Sequence, residues 1–179
     1  MILIKNGTII DPSCKREEKG DLLIADGKIA RIAPCGEIQE VGCEVIDATG
    51  MVVAPGLVDV HVHFRDPGFT YKEDIDTGAQ AALQGGFTSV VLMANTKPVV
   101  DNEETLDYIL EKGKNTPIHV YSCASVSKGL QGKELVDMAL LYSKGAAGFT
   151  DDGIPLLDVD ILEQAFVKAA SIGVPVSLH

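Results

Sequence analysis

Residues 55–68 read Pro55-Gly56-Leu57-Val58-Asp59-Val60-His61-Val62-His63-Phe64-Arg65-Asp66-Pro67-Gly68, and the fold turns on how this stretch is taken. After the Pro55-Gly56 turn signal, Leu57 to Phe64 is an apolar, valine-rich run of strand length. Side chains alternate along a strand, so positions 61 and 63 project to one side while Val62 faces the other. Two imidazoles then converge from a rigid support. Neutral imidazole nitrogen is a good zinc ligand, so this His-x-His is half of a metal site that needs little further ordering. Taken alone, the same pattern is equally a pair of polar strand-end residues, hydrogen-bonded and inert.

Downstream, strands alternate with amphipathic helices, the grammar of parallel β/α construction. Apolar residues recur at helical spacing in four places: Ile75, Ala79, Ala82 and Leu83; Leu106, Ile109 and Leu110; Leu135, Met138, Ala139 and Tyr142; and Leu162, Ala165, Phe166 and Ala169. Gly85-Gly86, Gly113, Gly145 and Gly173 stand at the expected helix ends, where a left-handed residue is wanted. The five strands between are expected near Leu57 to Phe64, Phe87 to Ala94, Ile118 to Cys123, Ala146 to Thr150 and Val174 to His179. Two architectures satisfy this order: an open doubly wound sheet, which the length favours, or the first five strands of a (β/α)₈ barrel of the TIM type, which normally needs about 250 residues. Chemistry at the strand ends favours the barrel, and we expect further chain to complete it. Upstream, residues 1–54 alternate with period two and carry the turn pairs Asp26-Gly27, a hairpin signal, and Thr49-Gly50. They are expected to form a small antiparallel β region, part of a β-sandwich domain, with the barrel domain occupying 55–179.

Composition excludes several classes. The 179 residues are 46% hydrophobic and 23% charged, as in a folded domain, and 15 Lys and Arg against 26 Asp and Glu leave a net charge of −11. No basic run exists for nucleic acid, and no stretch of about 18 apolar residues or secretory leader pattern exists for a membrane. A cytoplasmic location is expected. Cys14, Cys35, Cys43 and Cys123 form no Cys-x-x-Cys pair or regular ladder, so they read as reduced bystanders. In so acidic a chain, an anionic substrate must be held by a few placed cations or by metal.

Other strand ends supply the partners. Phe149-Thr150-Asp151-Asp152-Gly153 closes the fourth strand and His179 the fifth, and in a parallel β/α fold these ends share one face with the two histidines. An aspartate pair after a strand also serves as a helix cap or turn, and strand parity does not decide which of Asp151 and Asp152 points inward. Arg65 stands one strand step beyond the histidines, where its planar fork suits a carboxylate; the alternative is a surface arginine paired with Asp66. Asn95, at the end of the second strand, is placed to donate and accept beside Arg65, or else forms a turn. His119 begins the third strand, on the opposite face of the sheet, and reads as structural. No Gly-rich phosphate loop is present.

The stretch 55–68, Gly85-Gly86-Phe87-Thr88, Met93-Ala94-Asn95-Thr96 and Phe149 to Gly153 together resemble the amidohydrolase superfamily and, more narrowly, the longer-chain dihydroorotases. The arginine after His-x-His, combined with an aspartate where many relatives carry a fourth-strand lysine, makes the likeness specific. It implies a (β/α)₈ barrel with a β-sandwich built from both chain ends, and one or two zinc ions. By that likeness His61 and His63 bind the first metal, Asp152 bridges, and His179 binds the second. Arg65 and Asn95, with His63 close by, hold the substrate carboxylate. A sixth-strand histidine and the eighth-strand aspartate that serves as general acid and base would lie beyond residue 179. The implied reaction is the reversible conversion of N-carbamoyl-L-aspartate to L-dihydroorotate in pyrimidine synthesis, by a homo-oligomer. The rivals are another cyclic amidohydrolase acting on a hydantoin, dihydropyrimidine or allantoin ring, and a non-catalytic subunit partnering aspartate carbamoyltransferase.

Overall fold

The computed structural model describes residues 1–39 and 41–178. The chain divides into two compact units that meet between Pro55 and Gly56. Among the described residues no helix is long and apolar enough to cross a membrane.

The first unit is a five-stranded mixed sheet. Strands β1 (Ile2–Asp11), β2 (Arg16–Ala25) and β3 (Lys28–Ala33) pair antiparallel in that order. Asp26 and Gly27 join β2 to β3 with φ of 51° and 71°, the paired left-handed conformations a two-residue hairpin turn requires. The expectation of a wholly antiparallel region is corrected at the other edge. Both β4 (Glu44–Asp47) and β5 (Val52–Val53) run parallel to β1, at successive registers along it. Thr49-Gly50 is therefore a jog between two partners of one strand rather than a hairpin. Leu3, Leu23, Ala33 and Ile38 form the buried core of the unit. Fully buried Asp21 accepts from the backbone N–H groups of Asn6 and Gly36 at 2.9 and 2.8 Å, so main-chain donors answer its charge.

The second unit is a parallel α/β arrangement. Strands β6 (Leu57–Val62), β7 (Phe87–Leu92) and β8 (His119–Ser122) lie side by side in chain order. The fourth and fifth expected strands extend this order by single parallel bridges, Ala124 to Phe149 and Phe149 to Val176, not by full ladders. Their composition explains the difference: Ala146-Ala147-Gly148 has weak strand preference, and Pro175 has no N–H to give. Backbone bonds still hold the register, with Ala147 donating to Ser122 at 2.8 Å, Thr150 to Ala124 at 2.9 Å and Ser177 to Phe149 at 2.9 Å.

Helices α1 (Ile75–Gln84), α2 (Glu103–Gly113), α3 (Met138–Ser143) and α4 (Val159–Ile172) start on the side-chain caps Asp74, Asn102, Asp137 and Asp158. The third begins later than its apolar spacing suggests. Leu135 belongs to a folded-back loop, in which Val136 donates to Val126 at 3.0 Å and Lys128 to Glu134 at 2.9 Å. Gly86, Gly145 and Gly173 take positive φ after their helices as expected, but Gly113 does not. It closes α2 where a Cβ would stand 2.9 Å from that of Val120, so its role is close approach of helix to strand. Ile75, Val90, Leu92, Leu106, Ile109 and Phe149 fill the core between helices and sheet. Leu83 and Phe166, although on the apolar spacing, stay exposed.

Fully buried Asp66 fastens the loop after β6 to both neighbouring helices. It accepts from Ile75 N–H at 3.2 Å, from the Tyr108 hydroxyl at 2.9 Å and from Lys112 Nζ at 2.7 Å. The hydrogen bond to Asp66 holds the Lys112 ammonium above the ordinary lysine range, and burial followed by the same carboxylate raises the Tyr108 phenol. A raised folded-state value means stabilisation that is complete below the unfolded pKa and lost as pH climbs through the folded one. Lys112→Met leaves the buried carboxylate without a counter-charge and should destabilise the fold by about 3 kcal/mol. Urea unfolding across the alkaline range checks both points: the variant has a lower midpoint at neutral pH and a shallower loss of stability above the lysine range.

Candidate metal centre

Parallel pairing brings the strand ends to one edge, and three ligand types meet there. His61 is the penultimate residue of β6 and His63 follows its end, with ring centroids 5.2 Å apart and planes at 68°. Asp152, only 5% exposed, lies between them. Its Oδ1 is 3.3 Å from His61 Nε2 and its Oδ2 is 3.4 Å from His63 Nε2. One donor atom from each residue falls within 4.8 Å of the others. The three side chains thus converge closely enough that they could hold a divalent cation together. Two imidazoles and a carboxylate also form a donor set that such an ion accepts.

Asp151 and Asp152 have separate work. Asp151 turns away from the histidines and accepts from Val126 N–H at 2.7 Å, Ser127 N–H at 3.1 Å and the Ser127 hydroxyl. It anchors the folded-back loop. Asp152 is the member of the pair that faces the imidazoles, a distinction strand parity left open.

Asn95 occupies the second-strand end as expected, but its amide is used differently. Its Oδ1 lies 3.0 Å from His63 Nδ1, and its Nδ2 donates to Asp152 Oδ2 at 3.1 Å. Nothing in the sequence beyond an asparagine at a strand end signals this link. Arg65 is half-buried with φ of 59°, and its guanidinium has no hydrogen bond or ion pair among the described residues. The pairing of Arg65 with Asp66 is thus not made, because Asp66 is taken by Lys112 and Tyr108. The backbone around Arg65 is held by Phe69 N–H donating to its carbonyl at 2.8 Å, and by Lys97 N–H donating to Pro67 at 3.0 Å. His119 is exposed at the start of β8, its ring 6.4 Å from that of Tyr121. His179 lies outside the described residues. Burial pushes the Cys123 thiol up to about 11, which keeps it protonated at neutral pH.

Residues 50–179 match the dihydro-orotase-like family. The chain is 56% identical over 179 residues to the dihydroorotase of Clostridioides difficile strain 630, covering all of this chain and 42% of that protein. It is 51% identical over 179 residues to the dihydroorotase of Streptococcus pneumoniae serotype 4, with the same 42% coverage. Among solved structures, a D-hydantoinase from Thermus sp. aligns with TM-score 0.72 and 31% identity over 100% of this chain and 40% of that one. A dihydroorotase crystal structure aligns with TM-score 0.68 over 98% of this chain and 50% of that one, at 18% identity, a likeness of fold alone. The chain thus spans less than half the length of the curated relatives it matches.

The two aspartates should separate by substitution. Asp152→Asn is expected to abolish tight divalent-metal binding with little change in stability. Asp151→Asn should leave metal binding near that of the unaltered chain while lowering stability by about 2 kcal/mol, the scale of charge-assisted bonds lost. Chelator competition and urea unfolding on both variants read the two effects independently.

Proposed function

Because the chain belongs to the dihydro-orotase-like family, we propose that it forms the metal-binding N-terminal part of a dihydroorotase, which interconverts N-carbamoyl-L-aspartate and L-dihydroorotate in pyrimidine synthesis. The observation that carries this reading is the meeting of His61, His63 and Asp152, with Arg65, half-buried, two residues after His63 in the chain. Zinc, as one or two ions, is the proposed metal. When bound, it supplies positive charge that acidifies water and polarises an amide carbonyl.

The chain's own residues bind and orient. Arg65 offers a planar fork to the substrate carboxylate, the local cation that a chain of net charge −11 otherwise lacks. Backbone bonds fix the loop that carries Arg65, and in this reading its fork takes the carboxylate end of the substrate while the ring amide faces the ligand cluster. Asn95 lines the same place and, with His63, completes the proposed carboxylate site. The proton for the departing nitrogen is assigned to an aspartate outside these 179 residues.

The proposed architecture is the first five strands of a (β/α)₈ barrel, with residues 1–54 belonging to a small β-sandwich. Three observations support it. Parallel segments follow chain order without the reversal that a doubly wound sheet needs. A cavity of about 240 Å³ is lined by residues from all five of them, Val60, Val91, Cys123, Phe149 and Ser177 among these. Leu57, Val58 and Val60 of β6 are more than half exposed, an apolar edge that a closing strand would cover. The same reading places the enzyme in the cytoplasm as a homo-oligomer, and leaves aspartate carbamoyltransferase as the partner expected of the non-catalytic rival.

A hydantoin-type substrate is the competing assignment. Such rings lack the carboxylate, so Arg65 discriminates. In the enzyme carrying these residues together with the remaining strands, Arg65→Met should raise KM for N-carbamoyl-L-aspartate by roughly 30-fold or more, matching about 2 kcal/mol or more of lost carboxylate pairing. Steady-state kinetics on that substrate and on a hydantoin decide the matter. An unchanged KM, or a preference for the hydantoin, would remove the substrate assignment.

A further inference from the structure

One amide touches two of the three grouped ligands, and the chemistry of its neighbours leaves it a single orientation. An ionised carboxylate only accepts hydrogen bonds, so the Asn95 atom 3.1 Å from Asp152 Oδ2 must be the amide nitrogen. The same nitrogen lies 3.4 Å from the Asp152 carbonyl oxygen, a second acceptor on the same side. Turning the amide over would set oxygen against oxygen at both places. Its Oδ1 therefore faces His63 Nδ1 at 3.0 Å. An amide oxygen only accepts, so that ring nitrogen must carry the proton. A neutral imidazole has one N–H, which leaves the lone pair on Nε2, the atom 3.4 Å from Asp152 and turned toward the ligand cluster.

We infer that Asn95 is a positioning residue for the metal centre: its side chain locks His63 in the Nδ1–H tautomer that presents Nε2 to a cation, and at the same time orients the Asp152 carboxylate. This role rests on the metal-site reading above and adds to it, since substrate binding alone would not require the amide to face two ligands. The amide works through the ligands and need not touch the ion. Asn95 stands where this link is possible because β7 pairs in parallel with β6, with Val62 opposite Leu92, so the two strand ends stop at the same level.

The test uses the chain as it stands, with zinc as the probe. At about pH 8, above the ordinary histidine range, long-range proton–nitrogen spectra should show His63 protonated on Nδ1 before any metal is added. In Asn95→Ala that preference should disappear, and zinc affinity in chelator competition should fall by about 10- to 100-fold, the usual effect of removing a residue that orients a ligand. His63 protonated on Nε2 in the unaltered chain would overturn the inference, and this measurement needs no variant to fold. So would an Asn95→Ala chain with tautomer and zinc affinity unchanged. Failure of the dihydroorotase assignment would appear in turnover and leave both readouts as they are.

Discussion

The site depends on parallel strand pairing that ends level. His61 comes from β6 and His63 from just past its end, Asn95 from just after β7, and Asp151 and Asp152 from just after the segment bridged to Ala124. No two of these three groups are close in sequence. What brings them together is a ladder whose register is held by backbone bonds, from Met93 donating to Val62 at 3.0 Å through Cys123 donating to Leu92 at 2.8 Å to Thr150 donating to Ala124 at 2.9 Å. A slip of one residue would turn every alternating side chain to the opposite face and scatter the ligands. Core packing by Val90, Leu92 and Phe149 opposes that slip, because the same residues would then lose their buried positions.

A second constraint is the handling of negative charge. The chain is strongly acidic, yet among the described residues four carboxylates are buried: Asp21, Asp66, Asp151 and Asp152. Each is answered by specific donors. Main-chain N–H groups serve Asp21, one main-chain N–H with a hydroxyl and an ammonium serves Asp66, and a loop backbone with a hydroxyl serves Asp151. A buried carboxylate without such partners would be far too costly to keep ionised. Asp152 differs in kind, since its neighbours are an amide and two imidazoles that are themselves metal ligands by type. The three others shape loops, whereas this one faces the place where a cation fits.

Asp66 also illustrates how the loop that carries Arg65 is kept in place. The arginine before it adopts a left-handed backbone, which a non-glycine residue holds only when its surroundings oblige it. Those surroundings include the buried aspartate tied to α1 and α2, and Gly68, where a Cβ would come within 2.0 Å of the Lys97 carbonyl. Among the described residues the guanidinium has no hydrogen bond or ion pair, while the backbone that carries it is fixed.

Several features were legible in residues alone. The two-residue hairpin at Asp26-Gly27, the alternation of strands and helices after Gly56, and the common side of His61 and His63 all follow from local rules of turn chemistry and periodicity. Local rules failed where the deciding partner is distant. The parallel placement of β4 and β5 depends on which edge of β1 is vacant, and the late start of α3 on contacts between 126–128 and 134–136. Which aspartate faces the histidines, whether Arg65 pairs with Asp66, and what the Asn95 amide holds were likewise decided only by tertiary structure. Residue type and spacing limit which chemistry a side chain can perform. The partner it meets is set by chain segments tens of residues away, through packing that no local pattern encodes.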